Sequence, residues 1–205
     1  MSLPKPYYKD EAVTIYNGDC REIVPSLGRF DLLLTDPPYG LPEKLVGGTW
    51  GKAFEGKYKD WDAEAPCLEH LLKVSDKAII WGGNYFNLPP SRCWFVWDKP
   101  DKMPTVADCE LAWCSWDANA KLFQKNRNPD GKRQHPTQKP LALMEWCILR
   151  AGSGETILDP FAGSGTTGRA AKDLGKKAVL IERVEEYCHI AAKRMQQEVF
   201  DLGGV

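Results

Sequence analysis

A chain of 205 residues, 43% hydrophobic and with a formal net charge of −1, has the volume and apolar content for one domain with a sizeable core. No apolar run approaches membrane-spanning length, and the start Met1-Ser2-Leu3-Pro4-Lys5 lacks a signal peptide's apolar segment, so a cytoplasmic protein with no membrane partner is expected. The seven cysteines include no Cys-x-x-Cys pair and the three histidines are dispersed, which argues against a disulfide framework and against a metal centre.

In chain order, short strands alternate with helical segments. A strand is predicted over 13–16, a short helix over 21–27, and a buried strand over 31–35, where Leu32, Leu33 and Leu34 are all apolar. Residues 41–60 show no period and hold Gly47, Gly48, Gly51 and Gly56, so a long mobile loop is expected there. A helix follows over 64–74, then a strand over 77–81 that ends at Gly82-Gly83. Strands over 93–97 and 110–116 have no helical pattern between them and are predicted to pair antiparallel.

The interval 119–134 is short, basic and polar. From Lys121 to Lys139 the cations Lys121, Lys125, Arg127, Lys132, Arg133 and Lys139 are opposed only by Asp130, a net +5 over nineteen residues. Such a run is either a solvated loop or a patch that contacts phosphates. Beyond it come an apolar helix over 141–150, a strand over 156–158, a glycine-rich turn over 163–168 and a helix over 166–174. A strand over 178–181 precedes a last helix with Val184, Tyr187, Cys188, Ala191, Met195 and Val199 on one face. This alternation predicts a single α/β domain over 1–205, with a mostly parallel sheet, an antiparallel strand and helices on both faces.

Two places carry chemistry. The first is Asp36-Pro37-Pro38-Tyr39, where the buried strand ends in a rigid turn. The prolines fix φ and supply no N–H, so their carbonyls are directed at other donors. A carboxylate beside such carbonyls and an aromatic face suits the exocyclic amine of a planar base. The second is Gly163-Ser164-Gly165-Thr166-Thr167-Gly168, which fits G-x-G-x-x-G between a strand and a helix, with Glu182 ending the next strand. A carboxylate at that strand tip accepts from ribose hydroxyls. A nicotinamide dinucleotide is the habitual ligand of this pattern, but Asp159 and Phe161 stand at the loop itself. A carboxylate there suits a cationic amine and a ring suits an adenine face, whereas a pyrophosphate prefers N–H donors. S-adenosylmethionine fits these groups better.

At these residues the chain resembles the DNA amino-methyltransferases that modify adenine N6 or cytosine N4. The likeness rests on Asp36-Pro37-Pro38-Tyr39, on His135-Pro136-Thr137-Gln138-Lys139-Pro140, and on Asp159-Pro160-Phe161-Ala162-Gly163-Ser164-Gly165-Thr166-Thr167. Their order is that of the family's β group, and the likeness runs from Tyr16-Asn17-Gly18-Asp19-Cys20 to the last helix. It implies a Rossmann-like domain that uses S-adenosylmethionine and acts on double-stranded DNA. It also implies that Asp36, Pro37, Pro38 and Tyr39 are catalytic, with Tyr39 stacking on the flipped base. The loop Asp159, Phe161, Ala162, Gly163, Ser164, Gly165, Thr166 and Thr167 would line the cofactor, with Asp159 near its methionyl amine and Glu182 on its ribose. Asp19 would lie near the cofactor adenine, a role compatible with capping the helix that follows. Thr137, Gln138 and Lys139 would close the methionyl end.

The same resemblance implies a homodimer, as in many relatives, and an adenine target, because relatives acting on cytosine N4 more often carry serine in place of Asp36. The interval 119–134 stands where larger members have a recognition segment, so Lys121, Lys125, Arg127, Lys132 and Arg133 are candidate DNA contacts and a short or permissive recognition sequence is expected. Cytosine N4 is the alternative target. RNA methylation, a nicotinamide oxidoreductase and a DNA-binding protein without catalysis are the remaining readings.

Overall fold

The computed structural model describes residues 3–40, 65–102, 107–127, 138–152 and 154–197. Its strands are β1 (Tyr8–Lys9), β2 (Val13–Asn17), β3 (Phe30–Thr35), β4 (Ser75–Trp81), β5 (Trp94–Asp98), β6 (Cys109–Cys114), β7 (Lys121–Gln124), β8 (Thr156–Asp159) and β9 (Lys177–Glu182). Its α-helices are α1 (Cys20–Ile23), α2 (Glu69–Leu72), α3 (Leu141–Ala151), α4 (Thr166–Asp173) and α5 (Glu185–Met195). A 3-10 turn, Val24–Ser26, extends α1. None of the described helices is long and apolar enough to cross a membrane.

The strands form one sheet in the order β1-β2-β9-β8-β3-β4-β6-β5-β7. The five strands from β2 to β4 run parallel. The strand β6 is antiparallel to both β4 and β5, as the short connection between β5 and β6 predicts. At the edges, β1 pairs antiparallel with β2 and β7 pairs parallel with β5.

Burial on both faces explains why the central strands read as unbroken apolar runs. Leu32, Leu34, Ile79 and Trp81 point to the face covered by α3, α4 and α5, where Leu143, Cys147, Ala170 and Ala191 meet them. Leu33, Ala78, Ile80 and Leu158 point to the other face, against Ile23, Val24 and Leu71. Fully burying a side chain such as Leu33 or Ile80 contributes roughly 1.5–3 kcal/mol. At Gly168 an added Cβ would stand 2.5 Å from Leu180 Cδ1, so the missing side chain is what lets α4 lie close against β9.

The structure departs from the sequence expectations in a few places. The helix expected over 64–74 shrinks to α2, because Lys73 and Val74 already turn into β4, and residues 65–68 are not helical. Neither β1 nor β7 was anticipated: both sit at sheet edges, where no buried face imposes an apolar pattern. The expected mobile loop 41–60 and part of the basic interval, residues 128–134, lie outside the described residues, as does Val199.

Topology fixes where a ligand can sit. From β8 the chain crosses through α4 to β9, towards β2, whereas from β3 it passes through α2 to β4 in the opposite direction. The carboxyl ends of β8 and β3 therefore flank a switch point, the crevice where open α/β sheets bind ligands.

Candidate active site

Four strands ending at this edge each deliver one of the expected site residues. Asp36 follows β3, Asp159 ends β8, Glu182 ends β9 and Asp19 follows β2. These four, with Phe161 and Gly163, help to line a cavity of about 730 Å³. Its wall carries four carboxylates beside the cations Arg21, Lys139 and Arg183, and the Phe161 ring, a set that suits a ligand bearing a cationic amine and an aromatic base.

Asp159 ties the two halves of the site together. Its carboxylate accepts from the Thr35 hydroxyl at 2.8 Å, from the Thr167 hydroxyl at 2.5 Å and from the Phe161 N–H at 3.1 Å. One side chain thus joins the last residue before Asp36 to the first turn of α4. Burial pushes its pKa up to about 6, against the pull of those three donors. Glu182 accepts from the N–H groups of Gly163 at 2.9 Å and Val184 at 2.8 Å, and burial raises its pKa as well. Asp19 caps α1 by accepting from the Arg21 N–H at 2.8 Å, and the hydrogen bonds from Arg21 lower its pKa. Gln138 accepts from the Ser164 hydroxyl at 3.3 Å, which fastens its motif to the glycine loop.

Asp36 is surrounded differently. The Tyr39 hydroxyl donates to its Oδ1 at 2.6 Å, and the Lys139 ammonium donates to its Oδ2. Burial raises the Asp36 pKa, Lys139 opposes that rise and Glu110 adds to it. Lys139 also lies 3.0 Å from Glu110 Oε2, and its two carboxylates outweigh burial and hold it charged. Lys99 donates to the other Glu110 oxygen. The Tyr39 ring stacks on Tyr85 with centroids 4.9 Å apart and meets Phe86 edge-on at 6.2 Å.

The expected site residues are therefore mostly gathered at one edge. Asp19, Asp36, Pro38, Gln138, Lys139, Asp159, Phe161, Ala162, Gly163, Ser164, Thr166, Thr167 and Glu182 all border the cavity. Lys139, expected at the methionyl end of a cofactor, directs its ammonium at Asp36 and Glu110. Thr137, Lys132 and Arg133 lie outside the described residues. Arg127 needs correction as a DNA contact. It is buried, its guanidinium is bonded to the carbonyls of Asp101 and Ala107, and it pairs with the Asp101 carboxylate. Lys121 starts β7 and so sits at the end of that strand away from Asp36, whereas Lys125 leaves β7 at the same edge as Asp36. Sequence reasoning missed Lys99, Glu110, Tyr85 and Gly82. For Lys99 and Glu110 the only signal was charge at the ends of apolar strands, which gains meaning once β5 and β6 are paired.

A family model for DNA methylases, N6_N4_Mtase, matches residues 83–193. The type II methyltransferase M2.DpnII of Streptococcus pneumoniae is 52% identical over 254 aligned positions, which cover 96% of this chain and 94% of that protein. The chain belongs to this DNA methylase family. The family draws its methyl group from S-adenosylmethionine. Among solved structures, the complex of M1.HpyAVI with S-adenosylmethionine superposes with a TM-score of 0.61 at 25% identity, covering 90% of this chain and 100% of that one. The cytosine-N4-specific PvuII DNA methyltransferase shares the fold, with a TM-score of 0.66 at 20% identity over 95% of this chain and 90% of that one. The described residues of this DNA methylase therefore carry the family's fold.

Proposed function

We propose that this DNA methylase transfers the methyl group of S-adenosylmethionine to the N6 amine of adenine in double-stranded DNA. The observation that carries the reading is a carboxylate, Asp36, at the tip of β3, on the wall of the cavity that Phe161 and Glu182 also line. About 730 Å³ is within the usual range of a few hundred to ~1,000 Å³ for small-molecule and cofactor sites.

An exocyclic base amine is a poor nucleophile because its lone pair is delocalised into the ring. The Asp36 carboxylate and the Pro37 carbonyl accept hydrogen bonds from its two N–H groups, draw them out of the ring plane and concentrate the lone pair on nitrogen; as the N–C bond forms and the methyl–sulfur bond breaks, one of those protons would leave through Asp36 to solvent. A carboxylate has about four acceptor sites, so Asp36 keeps capacity for the amine beside Tyr39 and Lys139. The cofactor, when bound, supplies an electrophilic methyl on a sulfonium. Asp159 would hold its methionyl amine and Glu182 its ribose hydroxyls, while Phe161 and Gly163, which border the cavity, would line it. Most of the acceleration would come from holding amine and methyl in line at attack distance. The base leaves the duplex to reach this depth, and the half-exposed Tyr85 yields the Tyr39 face on which the base stacks.

Transfer of labelled methyl from the cofactor to duplex DNA tests this assignment. Asp36→Ala abolishes transfer and leaves cofactor binding intact. Retained transfer in that variant would remove Asp36 from the chemistry.

A further inference from the structure

A line of alternating charge runs along the carboxyl edge of the sheet and ends on Asp36. It begins at Lys99, just past β5, passes to Glu110 on β6 and reaches Lys139, which bridges Glu110 and Asp36. The register places these groups side by side, since Trp97 pairs with Glu110 and Trp81 pairs with Ala112. Both cations are removed from water: Lys99 is 3% exposed and Lys139 is 5% exposed. Aromatic rings cover them, with Lys99 Nζ 4.7 Å from the Trp97 centroid and Lys139 Nζ 5.7 Å from that of Trp81.

We propose that Glu110 and Lys99 are positioning residues for the Asp36 carboxylate, acting through Lys139. The proposal rests on Asp36 being the acceptor of the base amine. Two lysines and two carboxylates sum to zero charge, and a buried network of this kind gives little net stability over apolar packing. Its value lies in what it does to Asp36. Lys139 alone would fix Asp36 Oδ2 but would also draw down its charge and weaken it as an acceptor. Glu110 takes a share of the same ammonium, so Asp36 stays oriented and keeps charge for the amine. Lys99 compensates Glu110 and keeps it ionised: Glu110 is held at about 2, because Lys139 and Lys99 outweigh the burial that would raise it. The other groups that bear on this line are Tyr39 and Asp159 beside Asp36, and Arg127 beside Lys99.

Removing the Glu110 charge leaves Lys139 to Asp36 alone. The Asp36 proton then dissociates more readily, so the acid limb of the kcat profile moves to lower pH while the plateau falls. The test measures methyl transfer to duplex DNA against pH for Glu110→Gln and for the double variant Glu110→Gln/Lys99→Met. Cofactor Kd and thermal midpoint are followed in parallel, with Asp36→Ala as control. The expected result for Glu110→Gln is a kcat loss on the order of 10-fold, the scale seen when an outer orienting partner is removed, with the acid limb displaced downward and cofactor Kd unchanged. The double variant leaves no lone buried ammonium, so it folds even if Glu110→Gln does not, and it keeps both effects. A wild-type rate and acid limb in the double variant, or a loss confined to KM or to the thermal midpoint, would overturn the positioning role. If Asp36→Ala were fully active, the acceptor assignment itself would fall; an inactive Asp36→Ala beside a wild-type double variant would overturn the positioning role alone.

Discussion

Asp159→Asn is expected to make the folded protein more stable at neutral pH while weakening cofactor binding. Burial lifts the Asp159 pKa from its ordinary 3.8 to about 6. The folded state therefore binds this proton more tightly than the unfolded chain does. The stabilising contribution is complete below 3.8, declines through the window between the two values, and is gone once pH rises past about 6. At about 1.4 kcal/mol for each pKa unit, the ionised carboxylate costs the fold about 3 kcal/mol at pH 8. Asparagine keeps the arrangement, because its carbonyl accepts from Thr35 and the Phe161 N–H while its amide donates to a rotated Thr167 hydroxyl. Urea unfolding at pH 8 and pH 5 measures the gain, which is expected to be about 1–3 kcal/mol at the higher pH and to shrink at the lower. Calorimetry of S-adenosylmethionine binding gives the other half. Wild-type affinity tightens as pH rises through about 6, because a cationic amine favours the ionised carboxylate, and Asp159→Asn loses that dependence. A variant destabilised equally at both pH values, or one that keeps the pH dependence, would refute the reasoning.

Gly82→Ala is expected to lower stability by roughly 2–4 kcal/mol, combining a left-handed backbone with an overpacked contact. Gly82 has φ +68°, and an added Cβ would stand 2.1 Å from Tyr39 Cε1. Tyr39 is held in place by its bond to Asp36 and its edge contact with Phe86; an unchanged thermal midpoint would show that the ring is not wedged. Lys125→Glu is expected to weaken DNA binding and to reduce the slope of log affinity against log salt by about 1. Lys121→Glu, at the far end of β7, leaves the slope unchanged, and equal slopes for the two variants would contradict this placement.

Much of the site was legible because its chemistry is local. Asp36-Pro37-Pro38-Tyr39 and the loop from Asp159 to Gly168 each announce a strand end and a turn within a few residues. The parallel sheet then carries both to one edge without further instruction. The link between them was not legible. Thr35 and Asp159 are far apart in sequence, and nothing near either residue signals that a hydroxyl and a carboxylate meet at 2.8 Å. The same holds for Glu110 and Lys99, which look like ordinary surface charges until the antiparallel pairing of β5 with β6 sets them beside Lys139. Sequence reading erred in the other direction at 64–74, where Leu68, Leu71, Leu72 and Val74 have helical spacing. That spacing serves a single turn of helix and the start of β4.

The most direct test of the central claim is nucleoside analysis of duplex DNA after incubation with the protein and S-adenosylmethionine. N6-methyladenine as the product, absent when Asp36→Ala replaces the wild-type protein, is the predicted result. N4-methylcytosine as the product, or N6-methyladenine formed equally by both proteins, would contradict it.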